Sequence, residues 1–386
     1  MPIQRRNLLK ALPVALATAS AASAASAATN VHAAAPTAAP APSAQNPILA
    51  CFNENPLGLS AKAREAVAES AARCNRYPFA AVEQLRAACA AFIGGKPEQI
   101  TLSQGSAEAI RASIEAYKTE NVQLVIPELT YGDGEMCAVR NGIPVTKVKM
   151  GPDWSIDIEG MKAAVANHKG PSIVYFVNPN NPTSTIVDSK VLNDWIRSKP
   201  ANTMFLVDEA YAEFVEDKAF VSTATLVQEG LENVIVLKTF SKLFAMAGLR
   251  LGFAYAAKPV AEKVRNHIAY DIFQNVPAIA AGLAELNDEA FLAESRRVNA
   301  ASKKIFVEAL AGLGMRTLPS QTNFVFAELP KGVTLEAFAG ALKEKFVMVG
   351  RPFPPATNWV RISMVSEADS AYMAEQMKAL RAAKKI

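Results

Sequence analysis

Four short polar clusters, each closing an apolar run or opening a helix, carry the residue types in this sequence that could do chemistry. One is Thr239-Phe240-Ser241-Lys242, followed by Ala247-Gly248-Leu249-Arg250-Leu251-Gly252, which sets an amine and a guanidinium among hydroxyls. A second is Asp208-Glu209-Ala210-Tyr211, where a carboxylate ends an apolar run and a phenol follows. A third, Asn178-Pro179-Asn180-Asn181-Pro182-Thr183, is an amide-bearing turn stiffened by proline. The fourth is Gly105-Ser106-Ala107-Glu108, a helix start whose free N–H groups and dipole suit an anion. Singly, each has an ordinary explanation: a solvated lysine, a helix-capping aspartate, a rigid turn, a plain helix N-terminus. Their common place just past apolar runs gives them joint meaning, because ligands bind in the crevice outside the C-terminal ends of parallel strands.

A scaffold must bring these clusters to one edge. Residues 123–126, 172–177, 204–207 and 233–237 form continuous apolar runs, the pattern of strands buried on both faces. Helical patterns such as 156–166 and 188–197 lie between them. This alternation predicts an α/β fold with a mostly parallel sheet between helices, in a large domain over 76–275. Beyond it, a long helical stretch (288–313), strands near 323–328, 346–350 and 360–364, and a final helix (367–383) predict a smaller α+β domain. That domain is expected to combine 48–75 with 276–386. Two lobes suit a chain of 386 residues, since a single core rarely grows past about 250–300.

Composition narrows the chemistry. The formal net charge is +4, with no basic stripe interleaved with aromatics, so nucleic acid is not an expected partner. Three scattered histidines and four isolated cysteines make no zinc spacing, and no metal site is expected. The N-terminus reads as an address: Arg5-Arg6 precede an Ala-rich apolar run, with Ala25-Ser26-Ala27 as a small-residue cleavage candidate. It resembles a twin-arginine signal over 1–28 and implies export, in a bacterium to the periplasm. The run is shorter than the roughly 20 apolar residues a membrane span needs, so no stable anchor is expected in the mature form. An Ala/Pro-rich linker is expected over 29–47, where too little apolar area is available to offset ordering entropy.

The four clusters, in this order, resemble the pyridoxal-phosphate-dependent aminotransferases of fold type I, specifically the class I/II group near the histidinol-phosphate aminotransferases. The likeness runs from Phe52-Asn53-Glu54-Asn55-Pro56 to Val360-Arg361-Ile362-Ser363. It implies pyridoxal 5'-phosphate as cofactor and transfer of an amino group between an amino acid, or amino-acid-like donor, and a 2-oxo acid. By the same resemblance Lys242 holds the cofactor as a Schiff base and moves the α-proton. Asp208 pairs with the ring nitrogen, which keeps that nitrogen cationic. Tyr211 and Asn181 bond the ring's phenolic oxygen, and Tyr131 stacks on the ring. Gly105, Ser106, Ala107, Thr239, Ser241 and Arg250 hold the phosphate, joined by Tyr77 of a neighbouring subunit, which implies a homodimer with shared sites. Arg361 grips the substrate carboxylate through its planar fork, with Asn55 and Arg351 as further substrate contacts.

Three positions depart from the family pattern. Ser184 stands where the turn's glycine is usual, Leu57 replaces a tyrosine of the first motif, and Leu129 replaces a proline before Thr130-Tyr131. The missing tyrosine weakens a substrate-phosphate site, and histidine synthesis is cytoplasmic. Both points favour a donor other than histidinol phosphate, with histidinol-phosphate transamination as the alternative. Two rivals stand beside this reading: a pyridoxal-phosphate decarboxylase or lyase with much the same constellation, and a non-catalytic binding protein that keeps the fold. Product analysis separates the first, and a binding protein would have no need of Lys242, Asp208 and Tyr211 together.

Overall fold

Apolar runs without polar alternation must be covered on both faces, and the structure shows how. It is a computed structural model that describes residues 41–269 and 271–386. The signal expected over 1–28 and the linker up to residue 40 lie outside the described residues. The large lobe carries strands β2 (Ile100–Ser103), β3 (Gln123–Pro127), β4 (Val145–Val148), β5 (Ser172–Val177), β6 (Thr203–Asp208), β7 (Val234–Thr239) and β8 (Gly252–Ala256). They form one sheet in the order β2-β8-β7-β6-β5-β3-β4. All neighbours pair in parallel except β8, which is antiparallel to both β7 and β2. Every residue of β5, β6 and β7 is buried. Alternate residues of β5 enter two separate cores: Val174 and Phe176 on one face, Ile173, Tyr175 and Val177 on the other.

Helices cover both faces. α3 (Ser106–Ala116), α4 (Asp133–Arg140) and α8 (Lys258–Arg265) contribute to one core. α2 (Phe79–Ile93), α5 (Ile158–Asn167), α6 (Ser189–Arg197) and α7 (Ala224–Gln228) contribute to the other. The expected helices start where the sequence supplies caps: Asp157 accepts from Gly160 N for α5, and Asp188 from Val191 N for α6.

The small lobe is built from β1 (Ile48–Ala50), parallel to β10 (Val347–Val349), and β9 (Phe324–Glu328), antiparallel to β11 (Trp359–Ser363). α10 (Glu289–Gly312), α11 (Leu335–Lys343) and α12 (Glu367–Ala382) complete its core. α1 (Ala61–Ser70) and α9 (Val276–Leu286) bury Ala63, Ala278, Ile279 and Ala281 in the large-sheet core instead. The two cores therefore meet along α10 and not at residue 276. α10 has 24 residues, about 36 Å at 1.5 Å per residue, so Leu292 at one end reaches the large core and Phe306 the small one.

Candidate active site

The carboxyl ends of β5, β6 and β7 converge on one cavity of about 240 Å³. Strand register makes the convergence: Val177 pairs with Asp208, Asp208 with Leu237, and Thr239 with Gly252. Of the residues singled out in the sequence, Ser106, Ala107, Tyr131, Asn181, Asp208, Tyr211, Thr239, Ser241, Lys242, Arg250 and Arg361 all line this cavity.

Lys242 and Asp208 lie within electrostatic reach of each other in the same cavity. Burial, reinforced by the Arg361 guanidinium, lowers the Lys242 amine to about 8. Its Nζ donates to Asn53 O at 3.1 Å and Phe52 O at 3.4 Å. Asp208 moves the other way. Burial pushes its carboxyl up to about 7, against the opposing hydrogen bonds from Ala210 N (3.1 Å) and the Tyr175 hydroxyl (3.2 Å). An amine and an acid are thus both tuned toward neutral pH, the range where proton transfer at either is easiest.

Tyr211 is held in place from two sides. Its hydroxyl accepts from Asn53 Nδ2 at 3.1 Å and from Asn181 Nδ2 at 3.5 Å. Behind it, Lys238 bridges Glu209 and Glu213, each at 2.9 Å, which staples the turn that carries the phenol. Glu209 also accepts from the Ser222 and Thr223 hydroxyls at 2.6 and 2.7 Å, so its fully buried charge is satisfied.

One end of the cavity is built of donors. Gly105, at φ 78°, starts α3 with no side-chain cap, which leaves the helix N-terminus open toward Thr239, Ser241 and Arg250. A side chain at Gly105 would collide with the Arg250 guanidinium, and a Cβ at Gly252 would lie 2.8 Å from Ser106 N. Glycine is therefore required on both sides of this cradle. Arg250 Nη1 reaches Ser241 Oγ at 3.3 Å, and Thr239 Oγ1 donates to Ser241 Oγ at 3.0 Å. Hydroxyls, a guanidinium and an open helix N-terminus, with no carboxylate among them, are the donor set a phosphate monoester needs. The residues present fit pyridoxal phosphate: the cradle at one end, Lys242 and Asp208 beyond it.

At the other end, Arg361 donates from Nη1 to Asn181 Oδ1 at 2.8 Å and from Nη2 to Cys51 O at 2.7 Å. Its guanidinium lies between the rings of Phe324 (5.4 Å) and Phe353 (4.9 Å). Nε is buried with no partner, a donor left for a ligand. Among the described residues no cluster of His, Cys, Asp and Glu could hold a metal ion.

Four expected residues do not line the cavity. Gly105 backs the cradle without facing it. Asn55 bonds Leu243 O and Ser295 Oγ at 2.9 and 3.0 Å, a link between the first motif and α10. Arg351 is exposed, stacks on Phe353 at 4.6 Å and donates to Pro352 O. Tyr77 is 73% exposed and packs on Phe273 at 5.0 Å, outside the cavity. Two residues enter the site unforeseen. Asn53 joins Lys242, Tyr211, Asn323 and Ser363 through its backbone and side chain, at φ 56°. Tyr175 donates to Asp208. The only sequence signal for Asn53 is its place in the Phe52-Asn53-Glu54-Asn55-Pro56 motif. Tyr175, in an apolar strand, reads as core. The three departures also find their places: Ser184 takes φ 64° in the glycine-favouring region, Leu129 is buried, and Leu57 is at the surface.

Comparison with known proteins agrees with this geometry. The family model for aminotransferase class I and II matches residues 46–379. The histidinol-phosphate aminotransferase of Akkermansia muciniphila is 32% identical over 327 residues, 84% of this chain and 88% of that one. A solved structure of a putative histidinol-phosphate aminotransferase from Erwinia carotovora atroseptica is 48% identical, with TM-score 0.88 over 90% of this chain and 100% of that one. The Sinorhizobium meliloti histidinol-phosphate aminotransferase, solved in complex with pyridoxal 5'-phosphate, is 26% identical, with TM-score 0.76 over 86% and 91%.

Proposed function

The chain belongs to the aminotransferase class I and II family, whose members transaminate with pyridoxal 5'-phosphate, and from that premise we propose that Lys242 is the catalytic amine and Arg361 the carboxylate anchor of this enzyme. When bound, the cofactor supplies the electron sink that lets an amino acid's α-C–H bond break. The chain's own groups do the rest. Lys242 Nζ, lowered to about 8, takes and returns the α-proton. Asp208 offers its carboxylate to the ring nitrogen, and Tyr211 with Asn181 orients the ring's phenolic oxygen. The α3 N-terminus, Thr239, Ser241 and Arg250 hold the phosphate. Arg361 binds the carboxylate shared by amino-acid donor and 2-oxo acceptor. The observation that carries this reading is the union, in one cavity, of a lowered amine, a buried carboxylate, a donor-only cradle and a guanidinium with a free Nε.

The proposed donor is an amino acid other than histidinol phosphate. The cationic residues lining the cavity are Lys242, Arg250 and Arg361, each engaged above, and Arg351 lies outside it. A second reading, histidinol-phosphate transamination, is favoured by the names of the relatives. A homodimer and export belong to the same proposal. The exposed rings of Tyr77 and Phe79, clustered with half-buried Phe273, support a partner surface, and Arg5-Arg6 before an apolar run supports a twin-arginine route.

Challenging the loaded enzyme with a panel of amino donors, histidinol phosphate included, tests both readings. Bleaching of the cofactor's visible band by one donor, and its return with one 2-oxo acid, names the pair. If no donor changes the band, or carbon dioxide is released in step with turnover, the transamination reading fails. Sedimentation of the mature chain and fractionation of cells carrying Arg5→Lys/Arg6→Lys test dimer and export.

A further inference from the structure

We propose that Tyr175 is a positioning residue that holds the Asp208 carboxylate ionised and oriented for the cofactor, and that Gly134 exists to make room for it. The proposal rests on the reading that Asp208 faces the cofactor's ring nitrogen. Tyr175 lies on β5 opposite Leu206 of β6, so it shares a sheet face with Leu206 and Asp208. From that diagonal position its hydroxyl reaches Asp208 Oδ2 at 3.2 Å, with both side chains buried. The other oxygen, Oδ1, accepts from Ala210 N at 3.1 Å. Each carboxylate oxygen is thereby fixed by one donor and keeps acceptor capacity for a ligand.

The ring's place is reserved. A Cβ on Gly134 would fall 2.6 Å from Tyr175 Cδ1, so no larger residue fits there in α4. Glycine is unfavourable inside a helix, and here the tyrosine ring explains it. The electrostatics need such a donor. Burial opposes the Asp208 charge, and so does the Asp133 carboxylate from α4; Lys242 favours the charge from the loop after β7. Tyr131 and Tyr211 stand nearby as neutral phenols whose own ionisation Asp208 opposes. Tyr175 is itself held well above an ordinary phenol by burial and by Asp208, so it stays protonated and serves as a permanent donor.

The test is Tyr175→Phe, which removes one oxygen and keeps the ring. In the apoprotein, Asp208 is followed by carbon-13 carboxyl NMR, with Asp208→Asn assigning the signal. Loss of one hydrogen bond to a charged group moves its midpoint up by about one pH unit. Cofactor affinity then falls about tenfold at pH 6, where the acid must first ionise, and the loss fades by pH 9. A role in packing alone would weaken binding equally at both pH values. Should Tyr175→Phe not fold, site-specific 3,5-difluorotyrosine at 175 keeps the shape and donates more strongly, so the midpoint falls instead. An unmoved Asp208 midpoint, or an affinity loss equal at pH 6 and pH 9, overturns the proposal. If Asp208→Asn binds the cofactor as tightly as wild type, it is the reading of Asp208 beneath the proposal that fails.

Discussion

Replacing Asp208 with asparagine should stabilise the apoprotein while it damages the enzyme, and the pH at which it does so can be worked out. Burial raises the Asp208 carboxyl from 3.8 to about 7. Between those values the folded chain holds a proton that the unfolded chain has released, so stability falls as pH rises through the window and levels off above it. The difference of about three pH units corresponds to about 4 kcal/mol of destabilisation at pH 8. Lys242 acts with the opposite sign in a separate window. Its amine, lowered to about 8, costs stability at neutral pH, and that cost disappears between about 8 and 10.5. Asparagine fits the Asp208 site: its oxygen can accept from Ala210 N, and its amide can donate to the Tyr175 hydroxyl. Apo-Asp208→Asn should therefore melt several degrees above wild type at pH 8, with the advantage shrinking by about 3 kcal/mol at pH 5. The assay is thermal or denaturant unfolding of both apoproteins at the two pH values, beside cofactor titration, where the variant binds more weakly. A stability gap that does not change between pH 5 and pH 8 would refute the reasoning, because it would mean that the folded and unfolded chains hold the Asp208 proton equally over that range and the carboxyl is not raised by folding.

Lys242→Ala should lower turnover by at least about 10⁴-fold while cofactor still binds non-covalently, seen as a shifted visible band; near-normal turnover would remove Lys242 from the chemistry. Arg361→Lys keeps the positive charge that helps lower Lys242 but loses the planar fork, so kcat/KM for carboxylate-bearing substrates should fall about 100-fold with cofactor affinity nearly unchanged. Equal losses in substrate and cofactor binding would show that Arg361 supports the pocket as a whole. Ser184→Gly relieves a residue at φ 64° but adds freedom to the unfolded chain, so unfolding should change by less than about 1 kcal/mol. A larger loss would mean that the Ser184 hydroxyl's bond to Thr183 O is needed.

The parts of the fold legible in the sequence are those whose physics is local. Strands β5 to β7 are buried on both faces and so lack polar alternation, and α5 and α6 carry their own aspartate caps. β8 hid its direction, because an antiparallel strand inside a parallel sheet has the same apolar composition as its neighbours. The core that α9 joins was hidden for a similar reason: this Ala-rich helix buries small side chains that fit either core. Within the site, Lys242, Asp208 and Arg361 were legible through a resemblance in order and wording, since no periodicity links residues so far apart in the chain. Tyr175 was not legible, because its role depends on a neighbour 33 residues away in another strand.

Asn53 shows why the site is a property of both lobes. It follows β1, a small-lobe strand, and its carbonyl accepts one hydrogen bond from Lys242 and another from Asn323 just before β9. Cys51, two residues earlier, lends its carbonyl to Arg361. A neutral lysine amine has two N–H groups and one lone pair. Phe52 O and Asn53 O can accept both N–H groups at once, which leaves the lone pair as the only free valence on Nζ. Burial and Arg361 pull the amine down while the Glu54 and Asp208 carboxylates favour its charge, so it settles near 8 instead of losing its charge outright. The segment 51–53 thereby links Arg361, the proposed substrate anchor, to Lys242, the proposed catalytic amine. A ligand that neutralises Arg361 removes the strongest of the charges that hold Lys242 down, so carboxylate binding should raise the lysine's proton affinity when a proton has to be taken up.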